Sequence, residues 1–315
     1  MRGFMYKIGI FAWAIFVWPL FSTNTTAPSG VPVRVVVTLG YHYGQAPPVL
    51  TRDDLIVRQQ VDPLPITNLA PLRGDQAGLE LFLLVDNCSN CEPGSKFEEL
   101  RRFISSQPST TLVGIAYIAG GRLQVAEAPT ADHDRAVKAL NTPTGSKLAN
   151  PYGALTELIQ GWPPSSSRRA VLMISTGIDP AASDALEDPS AETALEAAER
   201  AGITLYAIYH PSADYLTSDL LKINSGQIQM SHLAYDTGGE AYFLSLGPLP
   251  SLAPFLSDIA DHLRNQYLLE FLANPGAGGG ELEQITVKSK LSDVELMAPD
   301  KVWIPGSTVT RKKRP

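Results

Sequence analysis

The sequence is poor in the residues and motifs on which most enzyme chemistry depends. Its 315 residues include two cysteines and five histidines, and no histidine has the His-x-x-x-His or Glu-x-x-His spacing of metal sites. There is no Gly-x-x-x-x-Gly-Lys phosphate loop, no Gly-x-Gly-x-x-Gly fingerprint and no Gly-x-Ser-x-Gly nucleophile elbow. Asp258, Asp261 and His262 are close in sequence, but a solvated helix face explains them better than catalysis. The sequence therefore predicts that the protein is not an enzyme.

Positive charge is also scarce. Lys and Arg number 25 against 32 Asp and Glu, giving a net charge of −7, which argues against nucleic acid or an anionic membrane surface as the main partner. The one basic run is Arg311 to Arg314, within a predicted basic tail at 307–315. This tail is interpreted as a solvated segment, or alternatively as a weak anchor to anionic lipid or polymer. Because 44% of residues are apolar and 18% charged, a sizeable core is possible and global disorder is excluded.

Residues 1–27 have the pattern of a signal peptide. Arg2 and Lys7 precede a continuously apolar segment, residues 8–21, that is shorter than the roughly 20 residues of a membrane span. Cleavage is predicted near Ala27, although Pro28 would hinder it there. Two alternatives are therefore left open: cleavage at an earlier residue, and retention of the segment as a membrane anchor. We therefore expect export to the periplasm, cell envelope or medium, with membrane contact only through an uncleaved leader.

Buried-type strands alternate with helices between residues 77 and 265. This order predicts a doubly wound, mostly parallel sheet with helices on both faces. The predicted strands are 79–86, 111–118, 121–127, 169–176, 203–209 and 240–244, and the predicted helices lie near 95–107, 131–140, 151–161, 190–201, 228–237 and 251–265.

Strands of alternating polarity flank this region on both sides. They are predicted at 31–39, 55–61, 267–273, 283–289 and 294–298. Strands before residue 70 and after residue 266 are expected to pair into a small β-sandwich. Prolines at 63, 65 and 71 predict an extended linker, and the glycine run at 276–280 predicts a hairpin loop. The predicted divisions are an N-terminal β segment and linker at 28–76, the α/β domain at 77–265 and a C-terminal β segment at 266–306.

Three strand-end segments carry a family resemblance. Residues 82–90 (FLLVDNCSN), 149–155 (ANPYGAL) and 169–179 (RAVLMISTGID) resemble, in order and spacing, the loops of von Willebrand factor type A domains. The flanking strands resemble the von Willebrand A-related proteins abundant in acidobacteria. The resemblance implies a site at the carboxyl edge of the sheet that holds a divalent cation, to which an acidic residue of a partner adds a ligand.

The sequence departs from the family pattern at most of the ligand positions. Asp86 keeps the first acid, whereas Cys88 and Asn90 replace two serines. The family threonine falls on Ala149 or Asn150, and the second acid falls on Thr176, with Asp179 as a substitute three residues on. The predicted degenerate site comprises Asp86, Asn90, Asn150, Thr176 and Asp179. We expect no cofactor, or at most weak binding of Mg²⁺ or Ca²⁺.

Cys88 and Cys91 leave several interpretations open. In an exported protein, such a pair is expected to oxidise to a structural disulfide. Free or metal-liganding thiols are one alternative, and redox catalysis by a Cys-x-x-Cys at the start of a helix is another. The sequence thus predicts an exported, non-enzymatic binding or adhesion module of the cell envelope, whose ligand is a protein or an envelope polymer. The alternative function is an envelope thiol-disulfide redox protein that uses Cys88 and Cys91.

Overall fold

The computed structural model describes residues 30–40, 48–86, 97–140, 149–165, 167–179, 188–210, 220–244, 251–292 and 294–306. The predicted signal peptide and basic tail, as well as Cys88, Asn90 and Cys91, lie outside these ranges. The strands are β1 (Val31–Gly40), β2 (Leu55–Gln59), β3 (Asp62–Pro63), β4 (Ile66–Pro71), β5 (Leu79–Asp86), β6 (Thr111–Ala119), β7 (Arg122–Thr130), β8 (Arg168–Ser175), β9 (Ile203–Tyr209), β10 (Ala241–Phe243), β11 (Gln266–Ala273), β12 (Gly280–Ser289), β13 (Glu295–Met297) and β14 (Lys301–Pro305). The helices are α1 (Phe97–Ser105), α2 (His133–Ala139), α3 (Pro151–Gly161), α4 (Pro189–Ala201), α5 (Leu220–Asp236) and α6 (Ala253–Arg264).

A six-stranded sheet forms the centre of the α/β part. Its strand order is β10-β9-β8-β5-β6-β7, and all neighbours are parallel except β6 and β7. The predicted doubly wound, mostly parallel sheet is therefore confirmed. Because the strands are parallel, the carboxyl ends of β5, β8 and β9 lie at one edge of the sheet, and their amino ends lie at the opposite edge.

Both faces of this sheet are covered by helices, as continuous apolar strands require. Alternate residues of β5 point to opposite faces. Leu81 and Leu83 pack with α1, α2 and α6, whereas Phe82 and Leu84 pack with α3 and α4. The Phe82 ring meets the Trp162 ring edge to face, with centroids 4.7 Å apart. In the part of the chain that the structure describes, no helix is both long and apolar enough to cross a membrane.

The flanking strands form two antiparallel four-stranded sheets with a common core. One has the order β13-β1-β11-β4 and the other β14-β12-β2-β3. Val37 and Phe271 of the first sheet pack in one apolar cluster with Val57 and Ile304 of the second. The predicted β-sandwich of N- and C-terminal strands is therefore confirmed.

Two details of the predicted flanking region are wrong. The proline-rich stretch is not simply an extended linker, because β3 and β4 form within it, and β4 pairs antiparallel with β11. Both are edge strands, where a proline leaves no ladder hydrogen bond unmade on the outer side. The glycine run at 276–280 is not a hairpin loop, since β11 and β12 lie in different sheets. It carries the chain from one sheet of the sandwich to the other.

Candidate functional site

Asp86 occupies the last position of β5, at the carboxyl edge of the central sheet. It pairs with Ile118 of β6 and follows Val85, which pairs with Ile174 of β8. Its side chain is only 5% exposed. The acid that the sequence analysis placed first in the candidate site is thus held inside the protein, between two neighbouring strands.

Asp86 accepts hydrogen bonds from the end of β8. The Ser175 hydroxyl donates to Asp86 Oδ2 at 2.9 Å, and the Thr176 backbone N–H donates to the same carboxylate. Burial raises the pKa of Asp86 to about 6, although these two hydrogen bonds act to lower it. The two neutral donors therefore offset only part of the cost of burying the ionised Asp86 carboxylate. No cation within the described residues contributes to lowering the pKa of Asp86.

Thr176 and its neighbours form a closed turn directly after β8. Thr176 is 2% exposed, and its hydroxyl accepts from the Ile178 N–H at 3.3 Å. The Gly177 N–H donates to Ser175 Oγ at 3.1 Å, so one hydroxyl links this turn to Asp86. The residue at the position of the family's second acid thus contributes a neutral hydroxyl that already has an internal hydrogen bond.

Asn150 lies at the N-terminus of α3, where it acts as the helix cap. Its Oδ1 accepts from the Gly153 N–H at 2.8 Å. The Tyr152 hydroxyl, on the first turn of the same helix, donates to the Gly177 carbonyl at 2.6 Å. The α3 entry and the turn after β8 are therefore joined by a direct, buried hydrogen bond.

Asp179 follows the same turn and is half-buried. Its charge contributes to raising the pKa of Tyr152, after the larger effects of burial and of Asp188, which places it electrostatically near the α3 entry. The structure thus gathers Asp86, Asn150, Thr176 and Asp179 around one edge of the sheet, whereas Asn90 lies outside the described residues. Their roles as ligands stay a prediction.

The described donors fit a hard divalent cation poorly. Such ions prefer several carboxylate or carbonyl oxygens that can turn toward them. Here the Asp86 carboxylate is buried and accepts two protein hydrogen bonds, while the Asn150 amide oxygen caps a helix. Within the described ranges, no three His, Cys, Asp or Glu side chains are grouped closely enough to hold a metal.

Ser175 and Tyr152 are the residues of this site that sequence reasoning missed. Both lie within segments that carried the family resemblance, yet neither was predicted as a site residue. A signal was available for Ser175, because it ends a continuous apolar strand, as Asp86 does, and both strands lie in segments that carry the family resemblance. The pairing of β5 with β8 brings the two ends together.

A second polar group lies on α6. The Tyr242 hydroxyl donates to Asp258 Oδ2 at 2.7 Å, and His262 Nε2 lies 4.0 Å from Asp258 Oδ1. The predicted solvated face is therefore only partly correct, since the His262 side chain is 12% exposed. Burial lowers the pKa of His262, against the opposing effect of Asp258. The uncharged imidazole is thus favoured here.

Comparison with known proteins finds no matching family model and no matching curated relative. Among solved structures, the chain is similar to an aerotolerance-related membrane protein from Bacteroides fragilis NCTC 9343 (16% identity, 59% of this chain and 98% of that chain, TM-score 0.44). It is also similar to the vWF domain of the type V pili tip protein Mfa5 from Porphyromonas gingivalis (9% identity, 58% of this chain and 94% of that chain, TM-score 0.43). A third is the ArnB paralog VWA2 from Sulfolobus acidocaldarius (9% identity, 88% of this chain and 76% of that chain, TM-score 0.42).

Two of these structures are named for the vWF or VWA domain. The identities of 9% and 16% limit the likeness to the fold, and function does not transfer from these proteins to this chain.

Proposed function

We propose that the protein is an exported, non-enzymatic binding module that engages a protein or envelope polymer through the carboxyl edge of its central sheet without needing a divalent cation. The observation that carries the proposal is the closed hydrogen-bond network of Asp86, Ser175 and Thr176. It lies where the family resemblance implies a cation, and it satisfies the acid with protein donors instead.

Burial of the same network supports a non-enzymatic role. Ser175 is fully buried and Asp86 is 5% exposed, so neither side chain can reach a substrate outside the protein. A nucleophile needs both a base within hydrogen-bond distance and access to the reacting atom. In the Ser175–Asp86 pair the hydroxyl has a base within hydrogen-bond distance, but it has no access to a reacting atom outside the protein. The half-buried Asp179 follows β8 at the carboxyl edge of the sheet, which is where parallel α/β folds place their ligands.

The redox alternative depends on Cys88 and Cys91, which follow β5 and lie outside the described residues. Asp86 precedes Cys88 by two positions, and a negative charge there opposes thiolate formation. A structural bridge should resist the glutathione pool, whereas a catalytic one should have a potential well above about −300 mV. Ready reduction near about −200 mV, together with turnover of a model disulfide, would favour the redox function over the binding module.

Export is tested by the processing of the leader. The proposal requires a mature form outside the cytoplasm whose first residue lies between positions 22 and 28, as mass spectrometry of the fractionated protein would show. Full-length chain in the cytosol alone would refute export.

Binding is tested by capture from envelope fractions on the immobilised mature protein. We expect a ligand that is retained equally in EDTA and in millimolar Mg²⁺. Asp179→Arg changes the charge of the carboxyl edge and should weaken capture. Asp134→Arg makes the same change in the first turn of α2, near the amino edge, and should not. Equal loss with both variants, or loss in EDTA, would contradict the proposed surface or its independence of cations.

A further inference from the structure

A cavity of about 620 Å³ lies at the opposite edge of the sheet from the candidate site. It is bounded by the amino ends of β5, β6 and β8 and by the C-terminal end of α6. Here the chain also crosses twice between the sandwich and the α/β part, once after β4 and once before β11. Its volume is within the range of about 300–1,000 Å³ that is usual for small-molecule sites.

Arg168 lines this cavity and has no anionic partner among the residues that the structure describes. Its Nη1 donates to Gln266 Oε1 at 2.8 Å and its Nη2 to the Ala77 carbonyl at 3.3 Å, whereas Nε is buried and lacks a partner within the described residues. Burial lowers the pKa of Arg168 to about 10, so the guanidinium remains charged at neutral pH. When the partners of a buried cation are all neutral oxygens, they offset only part of the free energy that the charge loses on leaving water. An anionic partner would stabilise the cation further.

The charge around the cavity is positive, although the protein as a whole carries −7. Among the described side chains, Arg73, Arg168 and Arg264 line it together with a single acid, Asp261, which pairs with Arg264. Within the described part of the chain, the Arg73 guanidinium has only a 3.4 Å contact with the neutral amide oxygen of Asn265. Among the described side chains, two guanidinium groups are therefore without an acid at a cavity in an acidic protein, which favours an anion as its occupant.

The remaining wall is largely apolar. Leu72, Leu79, Pro108, Ala260 and Leu263 are among its lining residues. A small inorganic anion would leave this surface without a contact, whereas an apolar body attached to an anionic group would cover it. We propose that the cavity is a binding site for a small organic anion, a carboxylate with an apolar chain or ring, whose charged group is held by Arg168 and Arg73.

Arg168 also has an evident structural role, which the test must separate from binding. It contacts Ala77 on the first crossing and Gln266 at the start of β11, directly after the second, and Gln266 donates in turn to Thr38 of β1 at 3.2 Å. A purely structural arginine would affect stability when replaced. It would not discriminate between a charged ligand and an uncharged ligand of the same shape.

The experiment titrates the full chain with octanoate and with octanamide, its uncharged analogue, using calorimetry. We expect octanoate to bind at least about tenfold more tightly than octanamide, since a charge-assisted hydrogen bond exceeds a neutral one by about that factor. Arg168→Met should weaken octanoate binding by about tenfold to a hundredfold and change octanamide binding little. Arg73→Gln, at an exposed position, should also weaken octanoate binding selectively. Arg58→Gln, on the exposed side of β2, is the matched control and should change neither affinity.

Absence of octanoate binding to the wild-type chain would overturn the proposal. Equal affinity for octanoate and octanamide, or an octanoate affinity unchanged in both Arg168→Met and Arg73→Gln, would overturn it as well. If Arg168→Met fails to fold, Arg73→Gln alone decides, because the Arg73 side chain is exposed and its one contact with a described residue is a weak 3.4 Å hydrogen bond. None of these outcomes depends on the carboxyl edge, so the proposed binding module is tested separately.

Discussion

The Ser175 hydroxyl lies 2.9 Å from Asp86 Oδ2 and donates a hydrogen bond to it. The two residues are far apart in sequence but end adjacent parallel strands, so the sheet itself sets their distance. A family that holds a cation at this edge needs ionised oxygens that turn outward. In this chain the corresponding acid, Asp86, is buried and hydrogen-bonded inside the protein. Its titration should therefore be measurable as an effect of pH on the unfolding free energy.

The first prediction concerns Asp86→Asn. The folded pKa of Asp86, about 6, lies above the ordinary value of 3.8. Its contribution to stability is therefore fully present below about pH 3.8 and is lost as pH rises through 6. Between pH 4.5 and 7.5, the wild type should lose about 2 kcal/mol more unfolding free energy than Asp86→Asn, which cannot ionise. Urea unfolding at the two pH values measures this difference, and parallel pH profiles for the two proteins would show that Asp86 does not titrate as described.

The sequence was sufficient for the α/β core because its strands are continuous apolar runs. Helix α3 and strand β9 were predicted with the bounds that they have, 151–161 and 203–209. Helix α5 was predicted only from 228, although it begins at Leu220. Its first half contains Gly226, a poor helix former that is needed because a Cβ there would lie 2.6 Å from the Thr176 carbonyl. The close packing of α5 against Thr176 thus outweighs the low helix propensity of Gly226.

The candidate site was less predictable than the core. The family motifs predicted that Asp86 and Thr176 belong to the site, but they did not predict the hydrogen bonds that these two residues form. Those bonds depend on the register of β5 against β8, which a single sequence does not specify. The strand β14 was missed for a related reason. Residues 301–305 (KVWIP) are short and end in proline, and they form a strand because β12 pairs with them.

The second prediction concerns divalent cations. A ligand that binds only the folded state stabilises it by RT ln(1 + [L]/Kd). At a site whose Kd is near or above the ligand concentration, millimolar Mg²⁺ or Ca²⁺ should therefore add no more than about 0.4 kcal/mol. Thermal melts of the wild type with and without the ion provide the measurement. A shift of many degrees that disappears in Asp86→Ala would show that the site binds metal strongly.

The third prediction concerns the cap of α3. Asn150→Ala removes the acceptor of the Gly153 N–H and should lower the unfolding free energy by about 1 kcal/mol. Asn150→Asp keeps a capping oxygen and should cost much less. Denaturant midpoints of the two variants give the comparison, and equal losses would mean that the residue stabilises the fold by some other contact.

The fourth prediction concerns Glu199, on the side of α4 that faces β14. Its side chain is 5% exposed, and neither carboxylate oxygen has a hydrogen-bond partner within the described residues. Burial raises the pKa of Glu199 to about 7, although Lys301 acts to lower it. Its stabilising contribution is present below pH 4.5 and is lost as pH rises through 7. At pH 8, Glu199→Gln should therefore be more stable than the wild type, by about 1 kcal/mol once screening by water is allowed for.

The control for Glu199 is available on the same helix. Glu196 is exposed, so Glu196→Gln removes no buried carboxylate and should not give the gain in stability at pH 8 that is expected of Glu199→Gln. Urea unfolding at pH 5 and pH 8 separates the two variants. The assignment fails if Glu199→Gln gives no gain at pH 8 or if the two substitutions behave alike.

The last prediction compares two glycines that have the same backbone conformation and different surroundings. Gly177, in the turn beside Asp86, and Gly202, at the end of α4, both have φ of +62°. A Cβ at Gly202 would meet nothing within 4 Å, so Gly202→Ala should lose only about 1 kcal/mol from the left-handed backbone. A Cβ at Gly177 would lie 2.7 Å from the Gly226 carbonyl and 2.8 Å from Met230 Sδ. The Gly226 carbonyl belongs to the α5 backbone and Met230 is fully buried, so this Cβ can fit only if α5 or the turn shifts.

Gly177→Ala should therefore be more destabilising than Gly202→Ala by about 1–3 kcal/mol, the usual effect of overpacking a core. Because the Gly177 N–H donates to Ser175 Oγ, displacement of the turn should also disturb the hydrogen bonding of Asp86. The pH dependence that Asp86 confers should then be altered in Gly177→Ala and retained in Gly202→Ala. Urea unfolding across pH 4.5 to 7.5 measures both effects. Equal losses in the two variants would mean that α5 does not pack against the turn as closely as the structure places it, and that the turn alone holds Asp86 in position.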